Sequence, residues 1–157
     1  MNGEMHQVLA MIDEAYGGKA WHGPTLRGSL RGLSAAEASW RPGRGRHSIR
    51  EIVLHAAYWK YTVRRRLTGA GRGSFRLKGH NWFPRRGRPG ETSWEEEVAI
   101  LESEHALMRR AIERGGVRAM RARVGRTLKG EALIRGIAAH DLYHAGQVQL
   151  IKRLRRR

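Results

Sequence analysis

Two histidines, His140 and His144, stand four residues apart in the stretch His140-Asp141-Leu142-Tyr143-His144-Ala145-Gly146-Gln147. Residues at i and i+4 project from the same face of an α-helix, so this spacing stacks two imidazoles one turn apart. Two such rings can grip one divalent ion. A third histidine, His55, lies far upstream in another segment of helical character. Three neutral imidazoles with a coordination position left open describe a catalytic metal centre rather than a structural one. A divalent ion held that way lowers the pKa of a bound water, or binds and ionises a thiol.

Spacing alone would also suit core histidines hydrogen-bonded to their neighbours. The surrounding pattern strengthens the metal reading. Leu133, Ile137, His140, His144, Gln147, Ile151 and Leu154 recur at intervals of three and four, the signature of a helix seam in a bundle. His140, His144 and Gln147 fill its middle turns, and burying three such groups is costly unless each is bonded to something. His55 lies three residues after Ile52 and four before Trp59, which borders it on a buried face. It reads equally as a third ligand or as a lone histidine at a helix contact. His105, on the seam formed by Trp94, Val98, Leu101, Met108 and Ile112, reads as a packing residue rather than a fourth ligand.

The candidate catalytic residues are Gln147 and Asp141. Gln147 could bond a metal-bound water or a ligand. Asp141 could orient an imidazole through its second nitrogen, but it lies roughly 100° round the helix from His140 and suits a surface role as well. Glu51, one turn before His55, carries the same ambiguity. Tyr58, Trp59 and Tyr143 could line a pocket.

Four long helices must position these groups. The first is expected over Glu4 to Tyr16, stopped by Gly17-Gly18. Pro24 suits a first helical position, with Leu26, Leu30 and Leu33 continuing an apolar stripe. Three capping boxes follow. Ser34 to Glu37 opens a short helix, Ser48 to Glu51 opens a long one to about Leu67, and Ser93 to Glu96 opens one to about Arg114. Glu95, Glu96 and Glu97 at its start and Arg109, Arg110 and Arg114 at its end complement the helix dipole. Gly115-Gly116 should end it. The basic stretch from Val117 to Lys129 has no assignable pattern. The last helix is expected from about Glu131 to Leu154. No clean period-2 run marks a strand. The Gly/Arg-rich residues 69–91 break every period and form a long loop between the second and third long helices. They read as a lid over the site or as packing on the bundle end. The expected architecture is an all-α four-helix bundle, one domain over 1–157, with a basic tail at 155–157.

Composition narrows the function further. The 157 residues are 40% hydrophobic, enough for a core. No apolar run reaches membrane-spanning length, and the N-terminus lacks the features of a signal peptide, so a cytoplasmic protein is expected. With no cysteine, metal ligands must be His or carboxylate, and thiol chemistry must use a thiol brought in by another molecule. A net charge of +17 raises a rival reading, a nucleic-acid-binding or stress-associated protein with a non-catalytic metal site. Phe75, Trp82 and Phe83 among the loop arginines could then stack on bases. The charge is scattered, however, and no nucleic-acid fold motif is present.

The chain resembles the DinB/YfiT-like superfamily of small metal-binding four-helix proteins. The resemblance rests on the H-x-x-x-H-x-G-Q motif of His140, His144, Gly146 and Gln147, and on Ser48-Ile49-Arg50-Glu51-Ile52-Val53-Leu54-His55 followed by Trp59. Ala20-Trp21-His22-Gly23-Pro24 and Trp94 also fit the order of elements. It implies a bundle with an unusual crossover connection. It also implies one zinc or nickel ion on His55, His140 and His144, and often a homodimer. The activities it implies are transferases using low-molecular-weight thiols, thiol-dependent isomerases and hydrolases. The expected function is therefore a metal-dependent small-molecule enzyme, a thiol transferase before a hydrolase.

Overall fold

The computed structural model describes residues 3–156. Its elements are α1 (Gly3–Tyr16), α2 (Leu26–Ser29), α3 (Ala35–Ser39), α4 (Ile49–Thr68), α5 (Trp94–Arg121), β1 (Arg123–Val124), β2 (Leu128–Lys129) and α6 (Gly130–Arg155). Helices α1, α4, α5 and α6 form the bundle. Helix α4 neighbours α5 and α6, and α1 neighbours the same two, so α1 and α4 stand at opposite corners. Residues 17–48, carrying α2 and α3, therefore cross the bundle's diagonal to join them.

All three capping boxes form. Ser34, Ser48 and Ser93 each accept a hydrogen bond through the side chain from the backbone N–H of the glutamate three residues on, whose carboxylate accepts one from the serine's own amide. Asp13 closes α1, its carbonyl accepting from the amides of Gly17 and Gly18. Gly69, with φ 70°, ends α4 in the left-handed conformation that glycine adopts without a Cβ penalty.

Three details depart from the sequence reading. Pro24 lies outside α2, because Thr25 takes the cap and accepts from the Gly28 amide. Gly116 (φ 56°, ψ −154°) does break α5, but helix resumes beyond it to Arg121. The unassigned basic stretch then forms an antiparallel hairpin, pairing Arg123 with Lys129 and Val124 with Leu128. With two residues per strand, no alternation could announce it.

The core is divided. One apolar cluster joins Leu26, Ile49, Val53, Leu54, Leu101, Val148 and Ile151. The other joins Met5, Leu9, Ile12, Val63, Met108, Ile112, Ile134 and Ile137. Between them along the helices lies a polar layer. Lys60 of α4, 0% exposed, donates to both carboxylate oxygens of Asp141 of α6, 1% exposed, at 2.7 and 2.5 Å. The Lys60 ammonium also sits 4.9 Å from the Tyr16 ring centre, and Tyr16 stacks on His105 at 3.6 Å. His105 is thus a packing residue.

The 69–91 loop is moored by buried charge. Glu97, fully buried, accepts from Arg50 and Arg85 at 2.7 Å each. Glu51 accepts from Arg41 and from the Arg85 amide. Among the described residues, no helix is long and apolar enough to cross a membrane.

Candidate metal centre

The polar layer brings α4 and α6 together at one level, and there the three histidines converge. The Nε2 atoms of His55 and His140 stand 3.1 Å apart, as do those of His140 and His144. One ligand atom from each residue lies within 4.8 Å of the others, and among the described residues no other such group forms. Four-coordinate binding at about 2.0–2.1 Å separates two nitrogens by roughly 3.4 Å. The observed spacing is close to that value.

Hydrogen bonds on the far side of two rings fix which way their Nε2 lone pairs point. His55 donates its Nδ1 proton to the backbone carbonyl of Asn81 at 2.9 Å. His144 donates its Nδ1 proton to Oε1 of Gln147 at 2.7 Å, while Gln147 Nε2 donates to the Tyr143 hydroxyl at 3.0 Å. Both acceptors are oxygens without a proton to give, so each ring carries its hydrogen on Nδ1 and aims a bare Nε2 lone pair inward. His140 faces both lone pairs and has one proton to offer. It cannot satisfy the two neighbours together, whereas a cation would satisfy all three. The donor set fits a divalent transition metal.

Burial keeps the rings neutral, as ligation requires. Desolvation pulls His140 down to about 3, helped by His144, His55 and Lys60. It pulls His144 down to about 4 and lowers His55 as well. Removed from the centre, His105 falls to about 3 by burial. These shifts set a pH dependence for the metal-free protein. The unfolded chain gains protons below about 6.5 while the folded chain does not, so the unfolded state binds more protons and stability falls with pH. Burial raises the Glu104 and Asp141 carboxyls, which act in the opposite sense, but two groups oppose four. Urea melts of metal-free protein should be level from pH 8 to 7 and shift to lower midpoints from 6.5 towards 4. A midpoint constant down to pH 5 would contradict this account.

The family model described as the DinB superfamily matches residues 20–148, which include all three histidines. The chain belongs to the DinB superfamily. Neither the curated proteins nor the solved structures give a match.

Helices α4 and α6 carry the three histidines, but the loop completes the cluster. Asn81 has φ 62°, and the Trp82 amide bonds back to the His80 carbonyl at 2.7 Å, a γ-turn that few residues other than glycine enter. This turn aims the Asn81 carbonyl at His55 and its side-chain Oδ1 at the Trp59 indole N–H, 3.0 Å away. Trp82 is sandwiched between His55 (3.9 Å) and His47 (3.6 Å). Phe83 is buried, and Phe75 packs on Tyr58, Tyr61 and Phe83. Trp82 and Phe83 therefore turn inward instead of presenting faces to bases. Sequence reasoning gave Asn81 and His47 no part in the centre; a lone asparagine in a glycine-rich loop is the only signal for the turn.

Of the candidate catalytic residues, Gln147 is on the centre and Asp141 is beside it. Asp141 bonds Lys60 rather than an imidazole, and it is buried rather than at the surface. Glu51 is likewise occupied by its cap, Arg41, Arg85 and His47, not by His55. Gln147→Leu removes the acceptor that fixes the His144 tautomer. Metal affinity should fall about 10–100-fold with the fold intact. An unchanged affinity in competition with a chelating dye would show that Gln147 has no such role.

Proposed function

We propose that His55, His140 and His144 hold one divalent transition metal, zinc or nickel, and that the protein is a small-molecule enzyme which transfers a low-molecular-weight thiol to an electrophile. The observation that carries this reading is the pair of inward-facing lone pairs fixed by Asn81 and Gln147. When bound, the metal would supply Lewis-acid charge, uncancelled by three neutral ligands, that favours an ionised nucleophile.

The chain's own residues do the rest. Asn81 and Gln147 hold the two rings by their Nδ1 protons. Trp82 covers one face of His55 and keeps water from it. The two carboxylates nearest the ligands in sequence, Asp141 and Glu51, are both committed to cations, so neither stands ready to take a proton from water. That favours a nucleophile acidic enough to ionise with little help. A thiol with a pKa near 8.5 needs less help than water does.

The test begins with metal content of untagged protein by mass spectrometry, beside a His140→Ala, His144→Ala double variant. Loaded protein is then assayed for conjugating small thiols to monochlorobimane, and for ester hydrolysis without thiol. The expected result is about one ion per chain, absent in the variant, with metal-dependent conjugation. Metal-dependent hydrolysis without thiol dependence would make it a hydrolase. No metal after reconstitution would sink the enzyme reading and return the +17 charge to the front.

A further inference from the structure

Many of the protein's acids are spent on ion pairs. Arg27, Arg41, Arg50, Arg85, Arg109 and Arg155 each hold a carboxylate. Between the second half of α4 and residues 72–81 lies a groove of about 770 Å³. Arg65, Arg66, Arg72 and Lys78 line it, and no aspartate or glutamate does. Arg66, Arg72 and Lys78 are exposed and have no ion pair among the described residues. Four cations around one groove repel each other, and a bound anion relieves that repulsion.

The walls are aromatic. Trp59 and Phe75 flank the groove with Tyr58 and Tyr61. The Trp59 indole N–H is already spent on Asn81, so the ring offers its face rather than a donor. The groove also lies beside the three histidines. Trp59 lies 6.3 Å from both the His55 and His140 rings, centre to centre. A small apolar recess of about 130 Å³ that reaches His140 shares Trp59, Thr62 and Arg66 with the groove.

We infer that this groove binds a small molecule with a planar, aromatic body and an anionic end, a carboxylate or phosphate. The cations take the anionic end and Trp59 and Phe75 take the body. The volume lies within the range of small-molecule sites. The place of this ligand as the substrate at the metal rests on the thiol-transfer reading above. The binding itself does not.

The test is isothermal titration calorimetry of the full chain with phenyl phosphate, inorganic phosphate and phenol in about 0.15 M salt, where long-range attraction is screened. Two charge-matched variants are compared. One is Arg66→Gln, Arg72→Gln, Lys78→Gln in the groove. The other is Arg110→Gln, Arg118→Gln, Arg126→Gln, exposed residues outside it. Phenyl phosphate should bind more tightly than phenol or phosphate. Its affinity should fall at least about tenfold in the groove variant and less than about twofold in the other. It should persist in His140→Ala, His144→Ala, so that failure of the metal reading leaves the groove standing. Equal losses in both charge variants would reduce the effect to net charge. Phenol binding as well as phenyl phosphate would remove the anion. Displacement by a short single-stranded oligonucleotide at far lower concentration would replace the small molecule with nucleic acid.

Discussion

Lys60→Met is expected to destabilise the fold by about 3–5 kcal/mol, the cost of leaving a buried charge without its partner. Asp141 is 1% exposed and accepts both its short bonds from Lys60. Burial pushes its carboxyl up and pushes the Lys60 amine down, each resisted by the opposite charge. Asp141→Leu should cost a similar amount, because it strands the ammonium. The double variant Lys60→Met, Asp141→Leu should recover most of the loss, since two apolar groups of similar size need no partner. Urea melts of the four proteins give the coupling directly. If the losses simply add, the pair is not one interaction and the layer has been misread. The double variant carries a second expectation. The layer lies at the level of the histidines, so a bundle made apolar there can shift its helices and blur the His55 to His140 approach. Metal affinity should therefore drop in the double variant even where stability returns.

Loading metal into the empty protein should stabilise it by about 4 kcal/mol when free ion stands at a thousand times its Kd, because the ion binds the folded state alone. His55 comes from α4 and the other two ligands from α6, so the unfolded chain has no preformed site. The His140→Ala, His144→Ala variant should gain nothing. His55→Ala, which keeps the pair one turn apart, should retain weaker binding. Thermal melts against free zinc and free nickel measure all three proteins. Equal stabilisation of the native protein and the double variant would place the ion elsewhere, and His6, His22 and His80 would be the residues to examine.

The sequence carried much of the fold because the fold uses local chemistry at its joints. Ser34, Ser48 and Ser93 cap where their glutamates said they would, and the long helices keep to their expected bounds within a residue or two, apart from the continuation of α5 past Gly116 to Arg121. The last seam was drawn slightly off. Ile134, Ala138, Asp141, Ala145 and Val148 face the core, and His140 and Gln147 sit at its edge, His140 turned towards His55 of α4. That rotation is why Asp141 looked superficial. Lys60 was overlooked for a related reason. A lysine in a helix reads as surface, and only its partner 81 residues away makes it core. The spacing of His140 and His144 within α6 was legible, and the resemblance added His55 to that pair, whereas the Asn81 turn and the cation-lined groove are tertiary events without a local pattern.

Asn81 holds His55 by its main-chain oxygen, an atom every residue has. The three histidines sit on helices, while much of the groove wall comes from residues 72–81. Under the proposed function, chemistry and choice of substrate are thus written on separate parts of the chain. Side chains from Arg72 to Lys78 can be exchanged without altering the tautomer of His55, provided the turn survives. Laboratory evolution aimed at new substrates would do best to randomise that stretch and leave the helices alone.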